Sequence, residues 1–519
     1  MMSKLPVLLI FTFLITYHDA AKILGVFPLP SISHQVVFRS LAEELARRGH
    51  EVTIITTDPG YPKGEAPPNL REIDVHDLSY EKWRTLYKLT STGSSDTLYP
   101  LKAAFHMVNE VFEAQLNVKE VQKLLKEEKF DVLLLEACVR SALILSHVFK
   151  VPVIQVSSFG SFTFNVETVG AAWHPLLYPH SVSQRLYNRS RWEKIVELWY
   201  FYRFNYEVQY EVEQAENQMA KRLFGPDVPP ISELNNNVDM LFLNVHPIWE
   251  ENRPVPPNVI YMGGLHVKPQ KELPKDLKTY LDSSKNGVVY MSLGTNVQPS
   301  LLPPEKIKIL VKVFSKLRYD VLWKWDKDEL PGRTDNIKIS KWLPQSDLLR
   351  HPKIKVFITQ GGLQSTDEAI RAGVPLIGIP MLGDQWYNTE KYVHHKIGAQ
   401  LQMATLDEEE LRNTINNVIN DESYRKNIEV FRNRISDQPM PPMDRAIWWI
   451  EHVVRHGGAK HLRAPSANIS WAEYLELELV LIVLAVALGA LSVLLTILYQ
   501  LWSLVFGKSK NVSKKLKKK

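Results

Sequence analysis

Residues 341–392 read KWLPQSDLLRHPKIKVFITQGGLQSTDEAIRAGVPLIGIPMLGDQWYNTEKY, and this stretch limits the fold more than any other part of the chain. An apolar run at 356–359 ends in Gln360-Gly361-Gly362, a helix-forming segment follows, and a second apolar run at 376–379 gives way through a Pro/Gly turn to Asp384-Gln385. Strand, tight turn, helix, strand is the repeating unit of a parallel sheet, because parallel neighbours need a crossover and a helix supplies it. The polar residues gather at the carboxyl ends of the strands, where such sheets bind ligands.

The same grammar recurs along the 519 residues, a length that implies two domains. Near the N-terminus come a strand at 22–27, a loop at 28–33, a helix at 34–48 with Val37, Leu41 and Leu45 on one face and a stop at Gly49, and a β-branched strand at 51–57. A charged helix at 118–128 precedes strands at 130–135 and 151–157. A second series places strands at 287–292, 320–325 and 337–340 ahead of 356–359 and 376–379. Residues 158–230 are rich in aromatics and lack a clear period, which fits either helices around an apolar ligand or an irregular insertion. Residues 253–285, rich in Pro and Gly, read as an interdomain linker.

Both ends are directed to a membrane. Lys4, the apolar run 5–17 and the pair Ala20-Ala21 form a signal-peptide pattern over 1–20, with His18 a poor fit before the cleavage site; an uncleaved anchor is the alternative. No charge occurs from Leu479 to Gly507, longer than the ~20 residues a bilayer requires. Residues 479–506 therefore read as a transmembrane helix. The tail 507–519 carries seven lysines, which places it in the cytosol. Lys515 and Lys517 have the spacing of a dilysine retrieval signal for the endoplasmic reticulum, and a plain stop-transfer flank is compatible with it. Without the tail the formal charge of +5 falls to about −2, which argues against a nucleic-acid partner. A body on the lumenal side would offer Asn188 and Asn468, each in an Asn-x-Ser sequon, as glycan acceptors.

Several motifs carry little weight. Asp326-Lys327-Asp328 has metal-site spacing but lies in a charged turn. Adjacent His394 and His395 point apart on a helix, so no metal site is expected. Cys138, the single cysteine, excludes an intrachain disulfide.

The 341–392 block, with His34 soon after the first strand and the apolar C-terminal span, closely resembles the UDP-glycosyltransferase family. The resemblance implies the GT-B architecture, an α/β fold of two Rossmann-like domains facing a cleft, here 21–265 for the acceptor and 266–470 for the UDP-sugar. It further implies Trp342 as a flat face for uracil, Gln345 for the uracil or ribose, and Thr359, Gln360, Gly361, Gly362, Gln364 and Ser365 at or beside the diphosphate. Glycine there lets backbone approach phosphate, and a helix start offers free N–H groups. Glu368 falls at the ribose position; the residues alone leave it equally a cap, because Ser365-Thr-Asp-Glu368 also satisfies a capping box. Ser292 and Thr295 are further diphosphate candidates, and Asp384-Gln385 correspond to the family's pair for the donor sugar.

In the first half, His34 matches the catalytic His of the family. At a helix start the positive end disfavours imidazolium, so a neutral base is expected. The family pairs this His with Asp; here Glu136, one methylene longer, stands after the strand. Gln360 is a second departure, since many members have His there. The ITQGGLQSTDEA wording is similar to arthropod members, which typically use UDP-glucose. The expected activity is metal-independent, inverting transfer of glucose to a small lipophilic acceptor, with UDP-sugar as co-substrate and no cofactor. The alternatives are a dedicated sphingolipid or sterol transferase and a non-catalytic UDP-sugar-binding membrane protein. The expected location is the endoplasmic reticulum membrane, with the body lumenal, and the resemblance allows a homo-oligomer.

Overall fold

The computed structural model describes residues 20–90 and 98–516. The expected signal segment, save Ala20, and Lys517 lie outside them. Among the described residues, two all-parallel sheets dominate, one of seven strands and one of six. The first contains β1 (Lys22–Phe27), β2 (Glu51–Thr56), β3 (Leu70–Asp74), β4 (Val132–Glu136), β5 (Val153–Ser157), β6 (Val238–Leu243) and β7 (Val259–Tyr261), in the order β3-β2-β1-β4-β5-β6-β7. The second contains β8 (Val288–Ser292), β9 (Asp320–Lys324), β10 (Ile337–Ser340), β11 (Ile354–Thr359), β12 (Leu376–Gly378) and β13 (Gly398–Gln400), in the order β10-β9-β8-β11-β12-β13. In each sheet the order reverses beside the first strand, between β1 and β4 and between β8 and β11. That crevice is where open α/β sheets take their ligands.

The central strands are buried along their whole length because helices cover both faces of a parallel sheet. In register, Ile23 faces Val52 on one side and Val132 on the other. Helix α1 (Ile32–Arg47) lays Val37, Phe38, Leu41 and Leu45 on this sheet, with Phe27 and Phe38 stacked at 4.2 Å. Two expectations are corrected. The stretch 253–285 is not simply a linker, since β7 extends the first sheet and Lys275–Ser283 is a helix. Helix Pro442–His456, inside the expected second domain, packs Ala446, Ile447, Ile450 and Val453 onto the first sheet, and Arg48 pairs with Asp444.

Residues 466–519 form a separate unit. In it, helix Leu477–Leu516 contains a span, Leu477–Phe506, whose most apolar 18 residues have a mean hydropathy of 2.9 and which is long and apolar enough to cross a membrane.

Candidate active site

The two strands that flank the first crevice each deliver one polar side chain into it. β1 runs out at Phe27 and the chain turns through Leu29 and Ser31 into α1, which puts His34 in the first helical turn. Glu136 is the last residue of β4. His34 Nδ1 lies 2.8 Å from Glu136 Oε1. The Leu29 N–H donates to Oε2 at 3.1 Å, and the Cys138 thiol donates to Oε1 at 3.6 Å. Burial and the Glu136 charge push the Cys138 pKa well up, so the thiol keeps its proton and serves as a donor. With carboxylate against Nδ1, the imidazole holds its proton there and presents the Nε2 lone pair. His34, Glu136 and Cys138 place a nitrogen, an oxygen and a sulfur within 4.8 Å of one another, a donor set that suits a metal ion, and the hydrogen bonds already engage all three.

The second crevice faces the first. β8 ends at Ser292 and turns through Gly294 and Thr295; β11 ends at Thr359 and turns through Gln360–Gly362 into helix Leu363–Ala372. One cavity of about 540 Å³ is lined by His34, Ser292, Thr295, Trp342, Gln345, Gln360, Gly362, Gln364, Ser365, Glu368, Asp384 and Gln385. Its remaining wall on the first half is mostly apolar and includes Phe105, Phe159, Phe162 and Val182, with Ser31, Ser33 and Arg39 as polar members. Phe159 lies 5.5 Å from the His34 ring, between centroids.

Trp342 is exposed at this cavity, with Lys324 Nζ 4.8 Å from its ring centroid. Gln345 donates to Ser365 Oγ at 2.9 Å and to Glu368 at 2.7 Å, while its carbonyl accepts from the Tyr290 hydroxyl at 2.9 Å. Burial pushes the Glu368 carboxyl up to about 7 despite the Gln345 donor. A group held so near neutrality gains when ligand hydroxyls or cations replace lost water. The capping-box reading of Ser365 and Glu368 fails, because the helix starts two residues earlier, at Leu363, with Gly362 as its cap.

Asp384 accepts from Asn388 at 2.8 Å, and Asn388 accepts in turn from the Trp249 indole of the first half at 2.8 Å. Burial pushes the Asp384 carboxyl up to about 6, against the Asn388 donor and the nearby His34, which pull it down. Gln385 is buried, and its carbonyl accepts from Met381 and Leu382 N–H at 2.7 and 2.8 Å, so it shapes the turn and has only its amide N–H to offer a sugar. The helix they start, Gln385–His394, is tied to the first half by the Lys391–Glu251 pair.

Two of the residues expected at or beside the diphosphate lie just off the cavity wall. Thr359 is fully buried, outside the cavity wall, and its hydroxyl accepts from the Gly361 N–H at 3.3 Å. Gly361 also lies off the wall. Its φ of +91° and the 2.6 Å that would separate a Cβ from Thr389 Cγ2 give it a packing reason to be glycine. Gln364 lines the cavity but spends its amide on the Ser158 carbonyl across the cleft at 2.9 Å. Gln360 Oε1 is buried without a partner at the cavity. Among the residues discounted earlier, Asp326 caps the turn at Ser300 and Asp328 pairs with Lys341 at the surface. His394 stacks on Tyr187 at 3.8 Å, and burial lowers His395 to about 4.

Residues 21–515 match the family model described as UDP-glucoronosyl and UDP-glucosyl transferase. The chain belongs to that family. An ecdysteroid UDP-glucosyltransferase of Spodoptera littoralis nuclear polyhedrosis virus is 36% identical over 92% of this chain and 96% of its own length. UDP-glycosyltransferase UGT5 of Dactylopius coccus is 32% identical over 96% of both chains, and human UDP-glucuronosyltransferase 2B15 is 31% identical over 87% and 88%. The solved structure of the calicheamicin glycosyltransferase CalG4 superposes with a TM-score of 0.57 at 16% identity, covering 84% of this chain and 99% of that one, which shows the GT-B fold. This member of the UDP-glycosyltransferase family is therefore an enzyme that transfers sugar from a UDP-sugar.

Sequence reasoning missed three residues at this site. Lys324, at the end of β9, donates to the Gly294 carbonyl at 2.9 Å, and burial lowers its pKa from the usual lysine value. Tyr290 and Asn388 hold Gln345 and Asp384. Lys324 had only its position at the carboxyl end of an expected strand as a hint, while Tyr290 in mid-strand and Asn388 in the first turn of a helix carry no sequence signal of their own.

Proposed function

We propose that this family member transfers glucose from UDP-glucose to the hydroxyl of a small lipophilic acceptor with inversion at C1. The observation that carries the reading is the 2.8 Å His34–Glu136 pair at the apolar end of a cavity whose other end holds Trp342, Glu368 and Asp384. His34 Nε2 takes the acceptor proton as the oxygen forms its bond to C1, and Glu136 stabilises the imidazolium. The C1–O bond to phosphate breaks, and UDP leaves with the electron pair toward Lys324 and the N–H groups opening helix Leu363–Ala372. An in-line displacement turns the donor's α linkage into β. Trp342 stacks on uracil, Glu368 and Gln345 bind ribose, and Asp384 with the Gln385 amide binds sugar hydroxyls. The glucose assignment is supported by the printed activity of the viral relatives.

The lysine tail and the charge-free span support a type I membrane protein with its body on the lumenal side of the endoplasmic reticulum. The test is a donor screen in microsomes, crossing UDP-glucose, UDP-glucuronate and UDP-galactose against one small phenol. The expected result is a β-glucoside formed from UDP-glucose in clear preference. An α product, or preference for UDP-glucuronate, refutes the stereochemical or the donor assignment respectively.

A further inference from the structure

Asp384 is held by a chain of hydrogen bonds that begins in the other half of the molecule. After β6 the 3₁₀ turn Pro247–Glu250 carries Trp249 against helix Gln385–His394, and the side chain is buried there. Its ring lies among Tyr392, His395 and Phe431, with centroids 6.4, 6.0 and 5.8 Å away, and the Tyr387 hydroxyl donates to its carbonyl at 3.2 Å. The indole Nε1–H donates to Asn388 Oδ1 at 2.8 Å. Asn388, also buried, donates to Asp384 Oδ2 at 2.8 Å and to the Gly361 carbonyl at 2.8 Å. Each partner can play only one part. An indole N–H only donates, and a carboxylate and a peptide carbonyl only accept, so the amide must turn its oxygen to Trp249 and its NH2 to Asp384 and Gly361. A buried network with one satisfied arrangement is rigid.

We infer that Trp249, a residue of the first half, is a positioning residue for the donor sugar held by the second: through Asn388 it fixes the Asp384 carboxylate, with Oδ2 spent inside the protein and the rest of the group turned to the sugar hydroxyls. The inference deepens the proposed function and rests on Asp384 binding the donor sugar. Asp384 lines the cavity, whereas Trp249 and Asn388 do not, so any effect of Trp249 on the donor travels through the amide. The same amide holds Gly361, and with it the glycine turn beside the diphosphate, in fixed relation to the sugar carboxylate. Without the indole N–H, Asn388 Oδ1 becomes a buried acceptor with no partner. Relief comes when the amide turns away or a water enters, and either change loosens Asp384. Burial raises the Asp384 carboxyl and the Asn388 donor opposes it, so a loosened amide also makes the carboxylate harder to keep.

The test uses the full chain and calorimetric Kd values for UDP and for UDP-glucose, measured without acceptor. Trp249 is replaced site-specifically by its benzothiophene isostere, which keeps the size and shape of the ring but carries sulfur in place of the N–H. The inference predicts a Kd for UDP-glucose about five- to tenfold higher, and a Kd for UDP within about twofold of the wild type, because UDP lacks the sugar that Asp384 binds. Trp249→Phe, which loses ring volume as well, should weaken UDP-glucose at least as much. In an Asp384→Asn background the isostere should change the UDP-glucose Kd by less than about twofold, since the group it positions is already altered. Unchanged UDP-glucose affinity in the isostere overturns the inference. Equal losses for UDP and UDP-glucose overturn it too, as does full additivity with Asp384→Asn, because both describe packing alone. Asp384→Asn by itself separates the two readings: if it leaves UDP-glucose affinity unchanged, the donor-sugar assignment falls and this inference with it, whereas a silent isostere beside a weakened Asp384→Asn sinks the role of Trp249 and leaves that assignment standing.

Discussion

Replacing Glu136 by Gln tests the catalytic pair while preserving its shape. The Leu29 N–H fixes which end of the new amide goes where: it needs an acceptor at the Oε2 position, so the NH2 group turns toward His34. A donor facing Nδ1 forces that nitrogen to accept, and the ring proton moves to Nε2, the atom that must take the acceptor's proton. The lost charge has a separate cost. At 2.8 Å and an effective dielectric near 20, a full unit pair is worth about 6 kcal/mol, so a half-developed imidazolium loses about 3 kcal/mol, roughly 10²-fold in rate. The wrong tautomer carries the loss toward ~10⁴-fold, the scale seen when an amide replaces the acid of a Ser-His-Asp triad. Glu136→Asp keeps charge and tautomer but draws the carboxylate back by about 1.5 Å, so a smaller loss of about tenfold is expected. Initial rates at saturating UDP-glucose and phenol give kcat, and calorimetry with UDP checks that donor binding persists within about twofold. A Glu136→Gln enzyme with kcat within threefold of the wild type would refute the reasoning.

Trp342→Ala removes the exposed face expected under uracil; stacking of about 1–3 kcal/mol predicts a rise of about 5- to 150-fold in KM for the donor with kcat little changed. Asp384, with its carboxyl near 6 in the free enzyme, binds sugar as the anion, so KM for UDP-glucose should rise as pH falls through 6. Its raised value also means that the ligand-free fold gains stability as pH falls from above 6 toward the ordinary carboxyl range. The excess of wild-type Tm over that of Asp384→Asn should therefore grow on acidification while donor affinity weakens; if both quantities track pH alike in wild type and variant, Asp384 is not the group.

Elements whose signal was local were legible in the sequence. The strands around His34, Glu136 and Gln360 are unbroken apolar runs, and the structure keeps them within about two residues of the expected bounds. The unrecognised strands are those whose residues do not look like strand. β3 reads LREID and β13 reads GAQ, both at sheet edges where polar residues are normal. β7 is three residues long inside a Pro-rich stretch. β6 carries Asp239, buried because its carboxylate accepts from Val153 and Ala459 N–H. The pairing of His34 with Glu136, 102 positions apart, followed from the family resemblance; the residues alone said only that each ends a strand or opens a helix. Thr359 turns its side chain into the core because a strand's last residue faces either the crevice or the core according to the pleat, which the sequence alone does not show.

The central claim is that one half of the cleft holds UDP while the other supplies the proton acceptor. Its most direct test is a paired measurement on His34→Ala: the Kd of UDP and the single-turnover rate with UDP-glucose and phenol. The account predicts a Kd within about twofold of the wild type, since His34 does not touch the uridine side, and a rate lower by at least ~10³-fold, within the range a positioned general base supplies. Full turnover in that variant, or UDP binding lost together with turnover, would contradict it.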